Sequence, residues 1–343
     1  MLCKECPMKA IVQNSLGEPA DVLSLVDIQD QGQPAAGEVV IDVTLAPVHH
    51  GDLHLIRSQP NIPENAGYVR RGSEAVGIVR ALGSDVKGNL KVGDRVIGFP
   101  AAGSWAESVS IAGISAIPVP PEISDEVAAQ LLINYVTARM VLRGLRKSIS
   151  EEMLHDGAVL VTGASTVVAR LLLHFLQKDG LKPIGLARST ASGTRVAGEL
   201  AGVPVTATEV ANWQAHVTSI AGERKIVGVL DCVSGSLVRD FLPLLADDAA
   251  IITYGGLGAG NLDISALEIV DNQFVIRGIT FGRWFSELAR DEQINDIRSA
   301  IKLARELPSL FKVGGVYNLD EFQAAVSAVE APNRDGFIFI KPR

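Results

Sequence analysis

The stretch DGAVLVTGASTVVARLLLHFL, residues 156–176, decides the fold of this chain. A short apolar, β-branched run ends in the small-residue turn TGAS (162–165), and a long apolar helical pattern follows at once. In a doubly wound sheet, a dinucleotide pyrophosphate rests on helix N-terminal amides at such a strand–turn–helix junction. The G-x-G-x-x-G pattern is incomplete, because Val167 and Ala169 stand where further glycines are expected. An ordinary first βα unit therefore stays an open alternative.

Strand and helix patterns continue on the C-terminal side of this stretch. Residues 124–145 open with Ser124 as a helix N-cap, and about six short apolar strands alternate with helical segments after them. This alternation predicts an α/β fold with a doubly wound parallel sheet of the Rossmann type. Residues 8–124 contain only short strand-like runs between Gly, Pro and Asp turns, which predicts a β-barrel or sandwich without a helix. The last run, GFIFIKP (336–342), is expected to return to this first domain.

The composition limits which binding partners and which cellular location are expected. The formal net charge is -8 and the pI is about 5.3, so no basic surface for nucleic acid or an anionic membrane is expected. Neither a membrane-spanning run nor a secretory signal region is found, which predicts a soluble cytoplasmic protein. Cys3 and Cys6 form a C-x-x-C pair in the N-terminal extension, where a metal or redox role and a frayed tail both stay open. Cys232 follows an apolar strand and is expected in the core.

The end of the second strand of this sheet indicates the type of cofactor. An acidic residue at this position binds the ribose hydroxyl of NAD, whereas a basic one receives the additional phosphate of NADP. The segment PIGLARSTASGTR (183–195) contains no acid, and it offers Arg188, Ser189 and Thr190, with Arg195 further on. A guanidinium and hydroxyls match a phosphate dianion, so NADPH is predicted rather than NADH. A solvent-exposed loop without a ligand is the alternative interpretation.

A set of motifs in fixed order extends through nearly the whole chain. The motifs are MKAIV (8–12), VHHGDLH (48–54), GSEAVG (72–77), VGDRVI (92–97), GSWAE (103–107), NYVTA (134–138), DCVSG (231–235), TYGG (253–256) and IRG (276–278). Together they resemble the zinc-free branch of the medium-chain dehydrogenases/reductases, which contains NADPH:quinone oxidoreductases and 2-enoyl thioester reductases. The resemblance implies a GroES-like β-barrel catalytic domain, residues 1–124 with 288–343, and a Rossmann dinucleotide-binding domain, residues 125–287.

The metal ligands of the family's zinc-dependent members can be checked one at a time. By resemblance, the Cys, His and Cys ligands fall at His49, Ser73 and Ile133. A catalytic zinc needs three protein ligands, and only His49 is suitable, so we expect no metal. Without a Lewis acid, the expected reaction is hydride transfer from NADPH to an electron-poor acceptor, either a quinone or a small activated alkene such as an enone.

Two alternatives remain beside quinone or enone reduction. The enoyl thioester reductases carry a tyrosine that the resemblance implicates in protonation, but counting from neighbouring motifs places it at Pro60 or Asn61. Tyr68 is near but displaced, and a hydroquinone anion can take its protons from water, which favours quinones. The alternative from another class is a nucleotide-binding protein with little catalysis, because Val167 and Ala169 narrow the phosphate turn.

The resemblance also implies site residues and an assembly. The catalytic candidates are His49, Asn134 and Tyr68. The cofactor-binding candidates are Gly163, Ala164, Ser165, Thr166, Val167, Arg188, Ser189, Thr137, Tyr254, Gly255, Gly256 and Trp284. Trp105 is expected either to face the cofactor or to be a core aromatic. The segment FVIRGIT (274–280) resembles the edge strand that pairs between two subunits in this family, so a homodimer is predicted.

Overall fold

The computed structural model describes residues 7–58, 61–63, 67–258, 260–332 and 334–342. Cys3 and Cys6 lie outside the described residues, and so does Pro60. The chain divides into two compact units: the first is Met1–Ile133 with Ala300–Arg343, and the second is Asn134–Ser299.

The elements follow in chain order. The strands are β1 (Pro7–Gln13), β2 (Leu23–Gln29), β3 (Glu38–Pro47), β4 (Val69–Arg70), β5 (Ala75–Leu82), β6 (Arg95–Gly98), β7 (Ser108–Ala112), β8 (Ala116–Pro118), β9 (Ala158–Thr162), β10 (Pro183–Ala187), β11 (Val205–Ala207), β12 (Ile226–Asp231), β13 (Leu245–Thr253), β14 (Val275–Gly278), β15 (Val313–Asn318) and β16 (Phe337–Lys341). The helices are α1 (Pro19–Val22), α2 (His50–Ser58), α3 (Asp125–Ala129), α4 (Leu131–Arg146), α5 (Glu151–Asp156), α6 (Val167–Lys178), α7 (Thr190–Glu199), α8 (Trp213–Ala221), α9 (Leu237–Phe241), α10 (Ala266–Asn272), α11 (Arg283–Glu287), α12 (Arg290–Glu306) and α13 (Phe322–Glu330).

The second unit is built on a parallel sheet with strand order β11-β10-β9-β12-β13-β14. The order reverses direction at β9, so β9 and β12 lie in the centre and are buried over their whole length. Full burial on both faces requires the continuous apolar runs that the sequence shows in these strands. The prediction of a doubly wound Rossmann sheet is confirmed.

The first unit contains two sheets. One has the order β2-β1-β4, and the other has the order β15-β16-β3-β5-β6-β8, with β7 also paired to β3. The closing strand β16 runs antiparallel to β3, with Phe339 opposite Pro47, which confirms its predicted return to the first domain. Apolar side chains that include Ile41, Trp105 and Ile340 form one buried core.

The first unit differs from the sequence prediction at α2. We expected no helix before Ser124, but the short α1 spans Pro19–Val22 and α2 spans His50–Ser58. It buries Leu53 and Ile56, which are three residues apart, and carries Asp52 in its first turn. Two apolar positions make too short a pattern to detect a helix, and burial against the core stabilises it.

The predicted helix from Ser124 is present in two pieces. Ser124 caps α3 by accepting a hydrogen bond from the backbone N–H of Val127 at 3.4 Å, as its position predicted. Gln130 then separates α3 from α4.

Among the described helices, none combines the length and the apolar character needed to cross a bilayer.

Candidate functional site

The turn between β9 and α6 has the geometry of a phosphate-binding turn. Gly163 adopts a φ of 60°, and a Cβ atom there would lie 2.5 Å from the sulfur of Cys232, so glycine is required on both conformational and steric grounds. Thr166 caps α6, because its hydroxyl accepts a hydrogen bond from the N–H of Ala169 at 3.3 Å. The turn therefore leads straight into the N-terminus of a 12-residue helix, where the helix dipole favours an anion.

The two side chains that interrupt the glycine pattern do not project outward from this turn. Val167 is 5% exposed and Ala169 is fully buried, so both pack into the interior of the second unit. Ser165 and Thr166 remain half-buried at the surface of the turn. The positions of these two side chains therefore do not support the expected narrowing of the phosphate turn by Val167 and Ala169.

Asp231 holds the neighbouring strand end against the turn. Its fully buried carboxylate accepts hydrogen bonds from the hydroxyl of Thr162 at 2.7 Å and from the N–H groups of Val233 and Ser234 at 3.0 Å. Ser234 adopts a φ of 64°, which the carboxylate stabilises. β9 and β12 are thus locked together where their carboxyl ends meet.

Tyr254 reaches under the phosphate turn from the end of β13. Its hydroxyl is buried beside the thiol of Cys232 and the hydroxyl of Thr166, yet makes no hydrogen bond of ordinary geometry within the described part of the chain. Burial raises the pKa of Tyr254 well above its usual value and raises the pKa of Cys232 to about 12. Both groups stay neutral, so the phenol and the thiol are buried polar groups packed against Thr166 at the turn.

The residues predicted to bind the NADP phosphate lie at the start of α7. Ser189 caps this helix by accepting a hydrogen bond from the N–H of Ser192 at 3.3 Å. Arg188 precedes it and is exposed, and Arg195 donates to the hydroxyl of Ser192 at 3.3 Å. A cation, hydroxyls and a helix N-terminus therefore occur together; the sequence indicated the cation and the hydroxyls, and the structure adds the helix N-terminus.

Glu209 also belongs to this group, and the sequence did not indicate it. Its carboxylate accepts a hydrogen bond from the N–H of Thr190 at 2.5 Å, and this bond lowers the pKa of the carboxyl. Glu209 follows β11, the strand next to β10. The sequence did hold one signal that could have indicated Glu209: the carboxyl ends of adjacent parallel strands meet at one edge of the sheet, so residues that follow β10 and β11 lie close together.

The first unit contains a buried polar cluster of its own. His49 is 7% exposed, and its Nε2 lies 3.1 Å from a carboxylate oxygen of the fully buried Glu74. The other oxygen of Glu74 accepts the backbone N–H groups of Leu132 at 2.7 Å and Ile133 at 3.3 Å, in the first turn of α4. Burial raises the pKa of Glu74, while His49 and these amides oppose the shift.

Asp52 fixes the backbone of His49. One of its oxygens accepts the N–H of His49 at 3.1 Å, and the other accepts a short hydrogen bond from the hydroxyl of Ser73. Burial raises the pKa of Asp52, and the charge of His49 opposes this. Ser73 and Ile133, at two of the zinc-ligand positions, offer no imidazole or thiolate. Over the described ranges, no group of three His, Cys, Asp or Glu residues could hold a metal ion.

The remaining predicted residues are placed as follows. Asn134 is buried and Thr137 half-buried, one turn apart on α4. Tyr68 is half-buried directly before β4, with Arg70 close to its phenol. Trp105 is a fully buried core residue whose indole donates to the carbonyl of Pro47 at 3.0 Å. Trp284 is 1% exposed and donates to Asp296 at 2.9 Å, so its ring is enclosed within the second unit.

Comparisons with known proteins agree with this architecture. Residues 35–121 match the family model of the alcohol dehydrogenase GroES-like domain. The mitochondrial enoyl-acyl-carrier-protein reductase of Rattus norvegicus is 25% identical over 334 residues, covering 95% of this chain and 86% of that protein. These matches support an oxidoreductase of the medium-chain dehydrogenase/reductase superfamily. The predicted combination of a Rossmann sheet with a GroES-like domain is confirmed.

Two solved structures have the same fold as this chain. The Escherichia coli quinone oxidoreductase complexed with NADPH has a TM-score of 0.81 and 21% identity, covering 97% of this chain and 100% of that one. A mycobacterial protein complexed with NADPH has a TM-score of 0.82 and 23% identity, covering 98% of this chain and 100% of that one. The rat reductase is mitochondrial, so a cytoplasmic location for this chain stays a prediction.

Proposed function

We propose that this oxidoreductase transfers a hydride from NADPH to a quinone or a small activated alkene without zinc. The observation that carries the proposal is the turn at residues 163–166, where a positive-φ glycine, a capped helix N-terminus and the buried hydroxyl of Tyr254 meet. These groups match a dinucleotide in charge and hydrogen bonding. The Escherichia coli and mycobacterial proteins of the same fold are complexed with NADPH, which supports this choice of cofactor.

Different residues of the second unit bind different parts of NADPH in this proposal. Gly163 and Thr166 present the first amides of α6 to the pyrophosphate, and Tyr254 supports the turn because its buried hydroxyl lies beside Thr166. Arg188 and Ser189 hold the additional phosphate at the start of α7. When bound, NADPH supplies the hydride, and the chain's contribution is to bind and orient the reactants.

The proposal is tested by following NADPH oxidation with purified protein. We expect turnover with para-benzoquinone or cyclohexenone, and saturable NADPH binding in a fluorescence titration. Binding without turnover on a broad panel of quinones, enones and enoyl thioesters would support a nucleotide-binding protein with little catalysis instead. Absence of binding at millimolar NADPH would contradict both functions.

Enoyl thioester reduction is the second candidate, because the rat protein similar to this chain along most of its length is an enoyl-acyl-carrier-protein reductase. Against it, neither Pro60 nor Asn61 offers a phenol for protonation. Steady-state kinetics with crotonyl-coenzyme A as the substrate distinguish the two candidate functions. A kcat/KM for this thioester that exceeds the values for quinones and enones by an order of magnitude or more would favour the second candidate.

The preference for NADPH is expected to depend on opposite contributions of Arg188 and Glu209. Arg188→Ala removes a charge-assisted contact worth about 1.5–3 kcal/mol, so KM for NADPH should rise by roughly 10- to 100-fold. Glu209→Gln removes a negative charge beside Thr190 and should lower KM for NADPH. Steady-state kinetics with NADPH and NADH measure both effects. An Arg188→Ala variant in which both coenzymes change equally would contradict the assignment.

A homodimer formed through β14 is also proposed. β14 ends the strand order of its sheet, and its Ile276 is 36% exposed. Leu267 and Val270, on the preceding helix α10, are 71% and 67% exposed. An apolar edge of this kind is prone to pair with a second copy. We expect a dimeric mass in light scattering at micromolar concentration and a monomeric mass for Val270→Glu/Ile276→Lys. Val92→Glu is the control, because it places the same charge at an exposed valine of the first unit, and this variant should stay dimeric. A monomeric mass for the unmodified protein would contradict the proposal.

A further inference from the structure

The segment proposed to bind the additional phosphate of NADPH holds an anion of the chain itself. The carboxylate of Glu209 accepts the N–H of Thr190, the first residue of α7, at 2.5 Å, and the hydroxyl of Thr190 also hydrogen-bonds to it. Helix α7 has no acidic residue in its own first turn, so Glu209 supplies the negative charge that a helix N-terminus favours. These hydrogen bonds lower the pKa of Glu209, which keeps the carboxylate ionised at neutral pH.

Arg188 lies beside this carboxylate but does not pair with it. The N–H of Glu209 donates to the carbonyl of Arg188 at 3.1 Å, and the hydroxyl of Thr208 donates to the same carbonyl at 3.2 Å. The two segments are therefore fixed to each other through the backbone. Within the described part of the chain, however, the exposed guanidinium of Arg188 has no hydrogen-bond or ion-pair partner. A cation without a partner and an anchored anion thus lie side by side.

We propose that Glu209 gives this site a second coenzyme, NADH, by accepting a hydroxyl of its adenosine ribose. This inference rests on the proposed function, in which Arg188 and Ser189 hold the additional phosphate of NADPH. NADH has a ribose hydroxyl in place of that phosphate, and an ionised carboxylate accepts a hydrogen bond from such a donor. An acidic residue after the second strand binds this hydroxyl in NAD sites, whereas Glu209 follows the neighbouring strand, β11.

The two coenzymes should respond to Glu209 in opposite directions. For NADPH, the carboxylate is a like charge beside the phosphate dianion and weakens binding, while the guanidinium of Arg188 strengthens it. For NADH, the carboxylate is a hydrogen-bond partner, and Arg188 has no phosphate to bind. Because the two residues favour different coenzymes, we expect the wild-type protein to bind both, with Kd values within roughly 30-fold of each other.

Fluorescence titration of Glu209→Gln with NADPH and NADH tests the proposal. Glutamine keeps an oxygen that accepts the N–H of Thr190 but carries no charge. Kd for NADPH should fall by roughly 3- to 10-fold, because the like charge is removed. Kd for NADH should rise by roughly 3- to 10-fold, because a neutral acceptor forms a hydrogen bond about half as strong as a carboxylate does. In Glu209→Ala, which has no acceptor, the rise for NADH should reach roughly 10-fold or more.

The effect on NADPH should also depend on salt. Glu209 is exposed, so ions in solution screen its repulsion of the phosphate. The ratio of the NADPH Kd values of the wild-type protein and Glu209→Gln should therefore approach one as KCl is raised from about 0.05 M to about 0.5 M. A role of Glu209 in holding the start of α7 alone would give no such dependence on the coenzyme and the salt together.

Two control variants match the substitution in charge and in anchoring. Glu223→Gln removes one exposed acid before β12, at the amino ends of the strands and therefore at the opposite edge of the sheet from Glu209. Both Kd values should change by less than about twofold in this variant, since the charges are separated by more than a Debye length. Thr208→Ala removes an uncharged contact to the carbonyl of Arg188, so its effect on the two coenzymes should have the same sign.

The outcomes separate this inference from the proposed function. Changes of the same sign for both coenzymes in Glu209→Gln, or an unchanged Kd for NADH, would overturn the inference. A wild-type protein that binds NADPH but shows no saturation with millimolar NADH would overturn it and leave the proposed function intact. No saturable binding of either coenzyme by the folded wild-type protein would contradict the proposed function itself. If circular dichroism shows that Glu209→Gln does not fold, Glu209→Ala decides by the same two signs.

Discussion

Replacing Glu199 with alanine is expected to destabilise the second unit by about 3 kcal/mol or more, because the variant leaves the guanidinium of Arg170 buried without this carboxylate. Arg170 lies on α6 and is 1% exposed, and its Nη1 is 2.6 Å from a carboxylate oxygen of Glu199 at the end of α7. The side chain of Glu199 is itself only 22% exposed, so water screens the pair weakly. Urea unfolding followed by circular dichroism measures the change.

Two controls separate the loss of a charge partner from a general effect of truncation. Arg170→Met/Glu199→Leu removes both charges and should retain most of the stability, since apolar replacements of buried pairs are often neutral. Glu151→Ala breaks the exposed pair with Arg146 and should cost well under about 1 kcal/mol. A Glu199→Ala variant no less stable than Glu151→Ala would show that the ion pair makes no net contribution.

Acidification is expected to destabilise the first unit through His50. Burial, reinforced by the charge of Arg334, lowers the pKa of His50 from 6.5 to about 4. The neutral ring accepts a hydrogen bond from Arg334 at 3.1 Å, and protonation would place two cations in contact. Between these two pKa values the unfolded chain binds the proton more tightly, so stability is complete above about pH 6.5 and is lost toward pH 4. The full loss is about 2–3 kcal/mol, given that the ring is half-buried.

His50→Asn measures this contribution, because an amide oxygen still accepts from Arg334 and does not titrate. The urea midpoint of the wild-type protein should fall more between pH ~7 and pH ~5 than the midpoint of the variant. The exposed His54 provides the matched control, and His54→Asn should follow the wild-type curve. Parallel curves for the wild-type protein and His50→Asn would contradict the assignment.

The Rossmann half of the fold was predictable because its local signals are strong. β9 and β12 are buried on both faces and read as continuous apolar runs, and Ser124 stands at the N-cap of its helix, as predicted. Helix α2 was not predictable, since its pattern rests on two apolar residues. The predicted domain boundaries, after residues 124 and 287, stay predictions.

The sequence could predict those residues of the candidate site that belong to the turn between β9 and α6. Gly163 and Thr166 follow directly from the strand–turn–helix pattern, because glycine conformation and N-capping are local properties. Trp284 was expected at the cofactor and is enclosed within the second unit, where Asp296 accepts its indole N–H. Local sequence does not distinguish a buried tryptophan from one that lines a site.

The sequence by itself determined the parallel sheet, the phosphate turn and a basic segment after the second strand, since each depends on residues adjacent in the chain. Only the tertiary structure brought Glu74 to His49, Glu209 to Thr190 and Tyr254 to the turn. These pairs are separated by 19 or more residues, so no spacing rule connects them. The physical reason is burial: removal from water makes an unpaired carboxylate or phenol costly, and folding selects partners that lie close in space, whatever their separation in the chain.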